Sequence, residues 1–113
     1  MPSDRRKEKL ASLIQEEAAQ FIEEHGNMPP GTVLTVTQVD LSPDRAYADV
    51  RISLFPTARV GSFLEKMKYL QSEFNRQMKS TFRMKKIPSA RFMFDDAEIK
   101  REHIEKLLED DKK

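Results

Sequence analysis

This chain is predicted to form an α+β fold in which helices cover one face of a three-stranded sheet. Three observations predict it. Apolar residues recur every three or four positions in two long stretches. Between those stretches they alternate at every second position, and proline, glycine and aspartate separate the blocks. A chain of 113 residues can bury about two-thirds of the surface it exposes unfolded, so it needs no disulfide or metal to fold. One domain over residues 1–113 fits that length, with flexible ends expected at 1–4 and 109–113.

The first helix is expected from Arg5 to Glu24, where Leu10, Leu13, Ile14, Ala18, Phe21 and Ile22 define one face. Ser3 or Asp4 suits its start, and His25-Gly26-Asn27 suits its end. Met28-Pro29-Pro30-Gly31 is a loop. The period then changes. Val33, Thr35, Thr37, Val39 and Leu41 are expected on one face of a strand. Ser42-Pro43-Asp44-Arg45 supplies a turn, because Pro43 presets φ at the second turn position. In the following strand Ala46, Ala48, Val50, Ile52 and Leu54 point inward and Tyr47, Asp49, Arg51, Ser53 and Phe55 outward. The two strands make an antiparallel hairpin that ends at Phe55-Pro56.

Helical spacing returns over 60–82, with Phe63, Leu64, Met67, Leu70, Phe74 and Met78 on the inner side and Ser62 as the candidate cap. Pro88 forces Ile87 out of the helical region and ends any continuation. Residues 90–95 read as a third strand, with Phe92 and Phe94 on one face. Ile99, Ile104, Leu107 and Leu108 suggest a short last helix, followed by a frayed tail at 109–113. The periodicity alone therefore orders the elements α-β-β-α-β-α.

Most chemistry is excluded by what the chain lacks. Without cysteine there is no disulfide scaffold, thiol nucleophile or thiolate zinc site. Gly26, Gly31 and Gly61 make no phosphate-cradling loop. His25 and His103 are far apart and read as helix-end or surface residues. Asp95-Asp96 is a carboxylate pair that a metal-dependent enzyme would need, but capping the helix expected near Glu98 explains it more simply. The six methionines read as gap-fillers and surface residues. No catalytic residue, metal ligand or cofactor is expected. No apolar run approaches the roughly 20 residues of a membrane span. MPSDRRKEKL at the start lacks the apolar stretch of a secretory signal, so a cytoplasmic location is expected. No heptads or long bare apolar edge call for a dimer, and a monomer is expected.

The net charge of +1 conceals a polarised molecule. Residues 59–91 hold nine basic side chains against two acidic ones, a net +7, while 1–58 and 92–113 each carry −3. The nine are Arg59, Lys66, Lys68, Arg76, Lys79, Arg83, Lys85, Lys86 and Arg91. Lys68, Ser72, Arg76, Lys79 and Arg83 are spaced to stack along one helix face. Solvated faces usually alternate in sign, and this one hardly does. Such a stripe fits the phosphate backbone of a nucleic acid. Arg5 and Arg6 head a second basic cluster, diluted by Asp4 and Glu8.

The segment LTVTQVDLSPDRAYADVRISLF (Leu34–Phe55) resembles the characteristic hairpin of the bacterial ribosome-binding factor A family. RMKKIPSARFMFDD (Arg83–Asp96) resembles a second family segment through Arg83, Pro88, Phe92 and Asp95. The likeness runs from about Arg5 to Leu108. It implies a type II KH-like domain with the order α-β-β-α-α-β, to which the short C-terminal helix would be added. It also implies a non-catalytic factor that binds the small (30S) ribosomal subunit and its 16S rRNA. Such a factor assists late maturation and 5′-end processing of the precursor rRNA, and is linked to growth in the cold. The family kinks its second helix at an Ala-any-Gly motif, whereas Leu70-Gln71-Ser72 stands there in this chain. Serine disrupts a helix less than glycine, by about 0.5 kcal/mol, so the kink is expected to weaken or vanish.

The expected RNA-binding set is therefore Lys66, Lys68, Arg76, Lys79, Arg83, Lys85, Lys86 and Arg91, joined by Arg5 and Arg6. The alternative is a module that docks on another protein through the same basic face and two exposed aromatics, Tyr69 and Phe82.

Overall fold

Helix α1 spans Pro2–His25, the hairpin strands β1 and β2 span Val33–Leu41 and Tyr47–Phe55, helix α2 spans Leu64–Thr81, and strand β3 spans Ser89–Phe94. These elements come from a computed structural model that describes residues 2–56, 61 and 63–95. The expected cap Ser62, the carboxylate Asp96, His103, the last helix and the tail lie outside the described residues.

Proline is well suited to the start of α1, because its missing N–H is one the first turn leaves unpaired anyway. Starting there puts Ser3 and Asp4 inside the helix rather than before it. Leu10, Ile14, Ala18, Phe21 and Ile22 are buried as expected, but Leu13 lies at the flank of the stripe and is exposed. The helix stops where the Gly26 N–H bonds the Ile22 carbonyl at 2.8 Å. A Cβ on Gly26 would stand 2.5 Å from that oxygen, so the close approach demands glycine. The chain then turns at Pro29–Thr32, where the Thr32 N–H bonds the Pro29 carbonyl at 3.1 Å. Gly31, at φ +83°, fills the position of a type II turn that requires positive φ.

The hairpin turn is built by its own side chains. The Asp44 carboxylate accepts from the Ala46 N–H at 3.0 Å and from the Ser42 hydroxyl at 2.7 Å. The Ala46 bond, helped by Ser42, holds the Asp44 carboxyl below its ordinary range. The Ser42 hydroxyl oxygen in turn accepts from the Tyr47 N–H at 3.0 Å.

β1 differs from its expected face. Its register against β2 slips between Val36 and Gln38, leaving Thr37 as an extra residue. Such a bulge reverses the alternation. Leu34 and Val36 therefore pack toward the core, while Val33, Thr35 and Thr37 are exposed; only beyond the bulge do Val39 and Leu41 turn inward. β2 has no such break, and Ala48, Val50, Ile52 and Leu54 are all buried.

β2 is the central strand, antiparallel to β1 and parallel to β3. A parallel neighbour needs a long crossover, and α2 provides it. Met67, Leu70, Phe74 and Met78 are buried against the sheet. Phe74 sits between Phe21 of α1 and Phe92 of β3, with ring centroids 5.3 and 5.5 Å away. Leu64, expected to face inward, is 49% exposed because it opens the first turn of α2; Phe63 takes the N-cap position. α2 runs unbroken through Leu70-Gln71-Ser72. The α-α pair of the KH-like pattern is one helix here, and the described order is α-β-β-α-β.

Candidate nucleic-acid interface

The burial of Met67, Leu70, Phe74 and Met78 turns the opposite side of α2 to solvent. That side presents Lys68, Ser72, Arg76 and Lys79, all exposed. Two acidic residues temper it. Glu65 lies 3.7 Å from Lys68, and Glu73 lies 3.5 Å from Arg76. Both are i,i+3 contacts, exposed on both sides at Lys68–Glu65 and half-buried at Glu73 in the other, and such pairs near solvent hold a charge only weakly. Lys79 forms no ion pair among the described residues.

Arg83 does not continue this helical row. The helix ends at Thr81, and Phe82 is extended with φ −93° and ψ 128°. The cause is Phe82 itself, which is half-buried against the core instead of exposed, as is Ile87 further along. Anchoring both apolar residues pulls the chain off the helix axis toward β3. Arg83, Lys85 and Lys86 are exposed on this connection and extend the basic surface beyond the end of α2.

Other candidates are placed elsewhere. The Lys66 ammonium donates to the Asn27 carbonyl at 2.6 Å, tying the start of α2 to the loop after α1. Arg91 lies on the sheet face opposite the helices, bonded to Asp49 at 2.7 Å and 4.3 Å above the Tyr47 ring. The Asp49 carboxylate raises its already high pKa, so it stays charged. Arg5 and Arg6 are exposed in the first turns of α1, about 24 Å of helix rise from Phe21, where α1 meets α2. His25 closes α1 with its ring tilted against that of Phe21, the centroids 4.7 Å apart. Among the described residues, no three histidine, aspartate or glutamate side chains converge as a metal site would require. Nor is any described helix long and apolar enough to cross a membrane.

The orientation of α2 depends on two residues that sequence reasoning passed over. The Asn75 amide donates to the Ala90 carbonyl at 3.0 Å, and its oxygen accepts from the Ala90 N–H at 2.8 Å. One turn earlier, the Gln71 amide oxygen accepts from the Phe92 N–H at 2.8 Å. Four helical residues advance about 6.0 Å and two strand residues about 6.6 Å, so the two spacings match. The signal was an i,i+4 pair of carboxamides beside the apolar stripe. Only the tertiary placement of β3 gives that pair its meaning.

A family model described as ribosome-binding factor A matches residues 6–108 of the chain. The chain belongs to the ribosome-binding factor A family. A ribosome-binding factor A of Chlorobium phaeobacteroides is 32% identical over 114 residues, covering 96% of this chain and 95% of that protein. That of Thermodesulfovibrio yellowstonii is 30% identical, covering 96% and 92%. The crystal structure of ribosome-binding factor A from Thermus thermophilus superimposes with a TM-score of 0.63 at 21% identity, over 78% of this chain and 93% of that one. That likeness establishes the KH-like fold. A homology model of the Thermus thermophilus factor, fitted into an electron-microscopy map of a 30S–RbfA complex, gives a TM-score of 0.51 at 20% identity, covering 76% and 91%. The family is defined by ribosome binding rather than by a reaction.

Proposed function

We propose that this chain is a single-domain, non-catalytic assembly factor that binds the small ribosomal subunit through its 16S rRNA in the cytoplasm. The observation that carries the proposal is the solvent face of α2. Lys68, Arg76 and Lys79 stand there on one unbroken helix, and Arg83, Lys85 and Lys86 prolong the surface. Family membership supports the ribosome as its partner, and the 30S complex of the Thermus relative supports the small subunit. Cations on a helix position a protein on phosphates but do not read bases, so specificity comes from RNA shape and from neighbouring contacts. In this reading the factor assists late maturation and 5′-end processing of the precursor rRNA. Its effect is greatest in the cold, where misfolded RNA escapes most slowly.

The test is cosedimentation with purified small subunits over a salt series. Engagement of five or six phosphates gives a slope of about −4 to −5 in log affinity against log salt. A flat dependence would refute phosphate binding and favour docking on a ribosomal protein.

A further inference from the structure

Beside the basic face, a groove of about 530 Å³ runs between the end of α1 and the flank of α2. Its volume lies within the range of sites that accept small organic ligands. Most of its lining is uncharged. Phe21 and Leu70 contribute apolar surface, and Tyr69 stands at the groove with 64% of its surface exposed. An aromatic ring left this open on a helix contributes little to folding. It does offer a bare π-face to a planar partner.

The polar groups around that ring have hydrogen-bonding capacity to spare. The Asn27 backbone carbonyl is taken by Lys66, but the Asn27 carboxamide has no partner among the described residues, and neither does that of Gln77. Each carboxamide offers two donors and an acceptor. Arg76 reaches the same groove, paired at 3.5 Å with the half-buried Glu73 that also lines it. A stacking platform, two unpaired carboxamides and a guanidinium within one groove match the three parts of a nucleotide: flat base, hydrogen-bonding edge and phosphate.

We propose that this groove is a subsite for one unstacked nucleotide of single-stranded RNA, with the base on Tyr69, its edge toward Asn27 and Gln77, and its phosphate on Arg76. The proposal rests on the RNA-binding reading above and makes it more specific. A continuous duplex keeps its bases stacked and has none to offer the groove. The site therefore selects loops, bulges or strand ends, while the basic face of α2 accepts either form.

The experiment titrates the full chain with a mixed-sequence RNA octamer carrying 2-aminopurine at its centre, and with the same octamer in a duplex. Binding of the single strand is expected to quench the probe. Tyr69→Ala is expected to abolish the quench and weaken single-strand binding by about 5- to 100-fold, leaving duplex binding unchanged. Tyr69→Phe keeps the ring and is expected to behave as wild type. Gln77→Ala is expected to keep the quench but level the affinities for oligo-A, oligo-C and oligo-U. If Tyr69→Ala binds and quenches normally while Lys79→Glu weakens both RNA forms, the subsite is refuted and the RNA-binding reading stands. If no RNA form binds with a dependence on salt, both fail together.

Discussion

The solvent face of α2 and the open face of the sheet both carry arginine in a polar setting, yet they are built to opposite ends. On the sheet every described cation is answered at short range. Arg51 meets Asp40 at 3.1 Å, and Arg91 meets Asp49 at 2.7 Å. Gln38 adds a bond to Asp40 at 2.6 Å, and the Tyr47 ring lies under Arg91. Each carboxylate sits on a neighbouring strand, so the pairs also fix the register. On α2 the two acidic residues sit one turn from the cations they touch, at 3.5 and 3.7 Å. Three more cations follow the helix without any ion pair among the described residues. Basic residues whose charge is consumed internally hold the fold. Those left loosely partnered remain available to an external polyanion. Composition counts both kinds alike; geometry separates them.

The widest separation between the faces should appear on charge reversal. Arg76, Lys79 and Arg83 all changed to Glu should lower small-subunit affinity on the order of 100-fold, taking about 1 kcal/mol per lost contact. The salt slope should become shallower by about 2 to 3, with Tm almost unchanged because all three are exposed. Arg91→Gln is the matching change on the sheet. It should leave affinity and salt slope intact while lowering Tm slightly, and an affinity loss equal to that of the triple variant would erase the contrast between the faces. Next in size is Asn75→Ala, which alters no charge but strips the Ala90 N–H and carbonyl of their partners. A loss of about 1–3 kcal/mol is expected, read as a lower urea midpoint at constant m. The smallest effect concerns the hairpin turn. Because the Asp44 carboxyl is held below its ordinary value, it stabilises the fold at neutral pH, and that contribution fades as the pH falls below about 4. The Tm gap between wild type and Asp44→Asn should therefore narrow on acidification.

Much of this design is legible in the sequence because periodicity reports burial directly. The five described elements, the Ser42–Arg45 turn and the core residues of α2 all follow from spacing. β1 was only half legible, since one inserted residue at Thr37 inverts the alternation while its β-branched composition continues across it. Arg83 fits the helical step in sequence, but burial of Phe82 ends the helix first. Tyr69 and Phe82 look equivalent in the sequence, and the fold exposes one and sequesters the other. Lys66 and Arg91 count as basic in any window, and only the fold shows that they meet Asn27 and Asp49, 39 and 42 residues away. Local pattern shows which side of an element is dry. It does not show which distant group will meet the wet side.

The carboxamides of Gln71 and Asn75 have a consequence for solubility. A sheet ends in two rows of backbone groups that can recruit a foreign strand, which is the usual route to edge-to-edge polymerisation. On β3 the outward groups of Ala90 and of the Phe92 N–H are already occupied by α2. On β1 the bulge at Thr37 interrupts the straight ladder an incoming strand would need. One margin is occupied by side chains over Ala90 and the Phe92 N–H and the other is broken by an extra residue, so both edges of this three-stranded sheet offer a neighbouring molecule a shortened template.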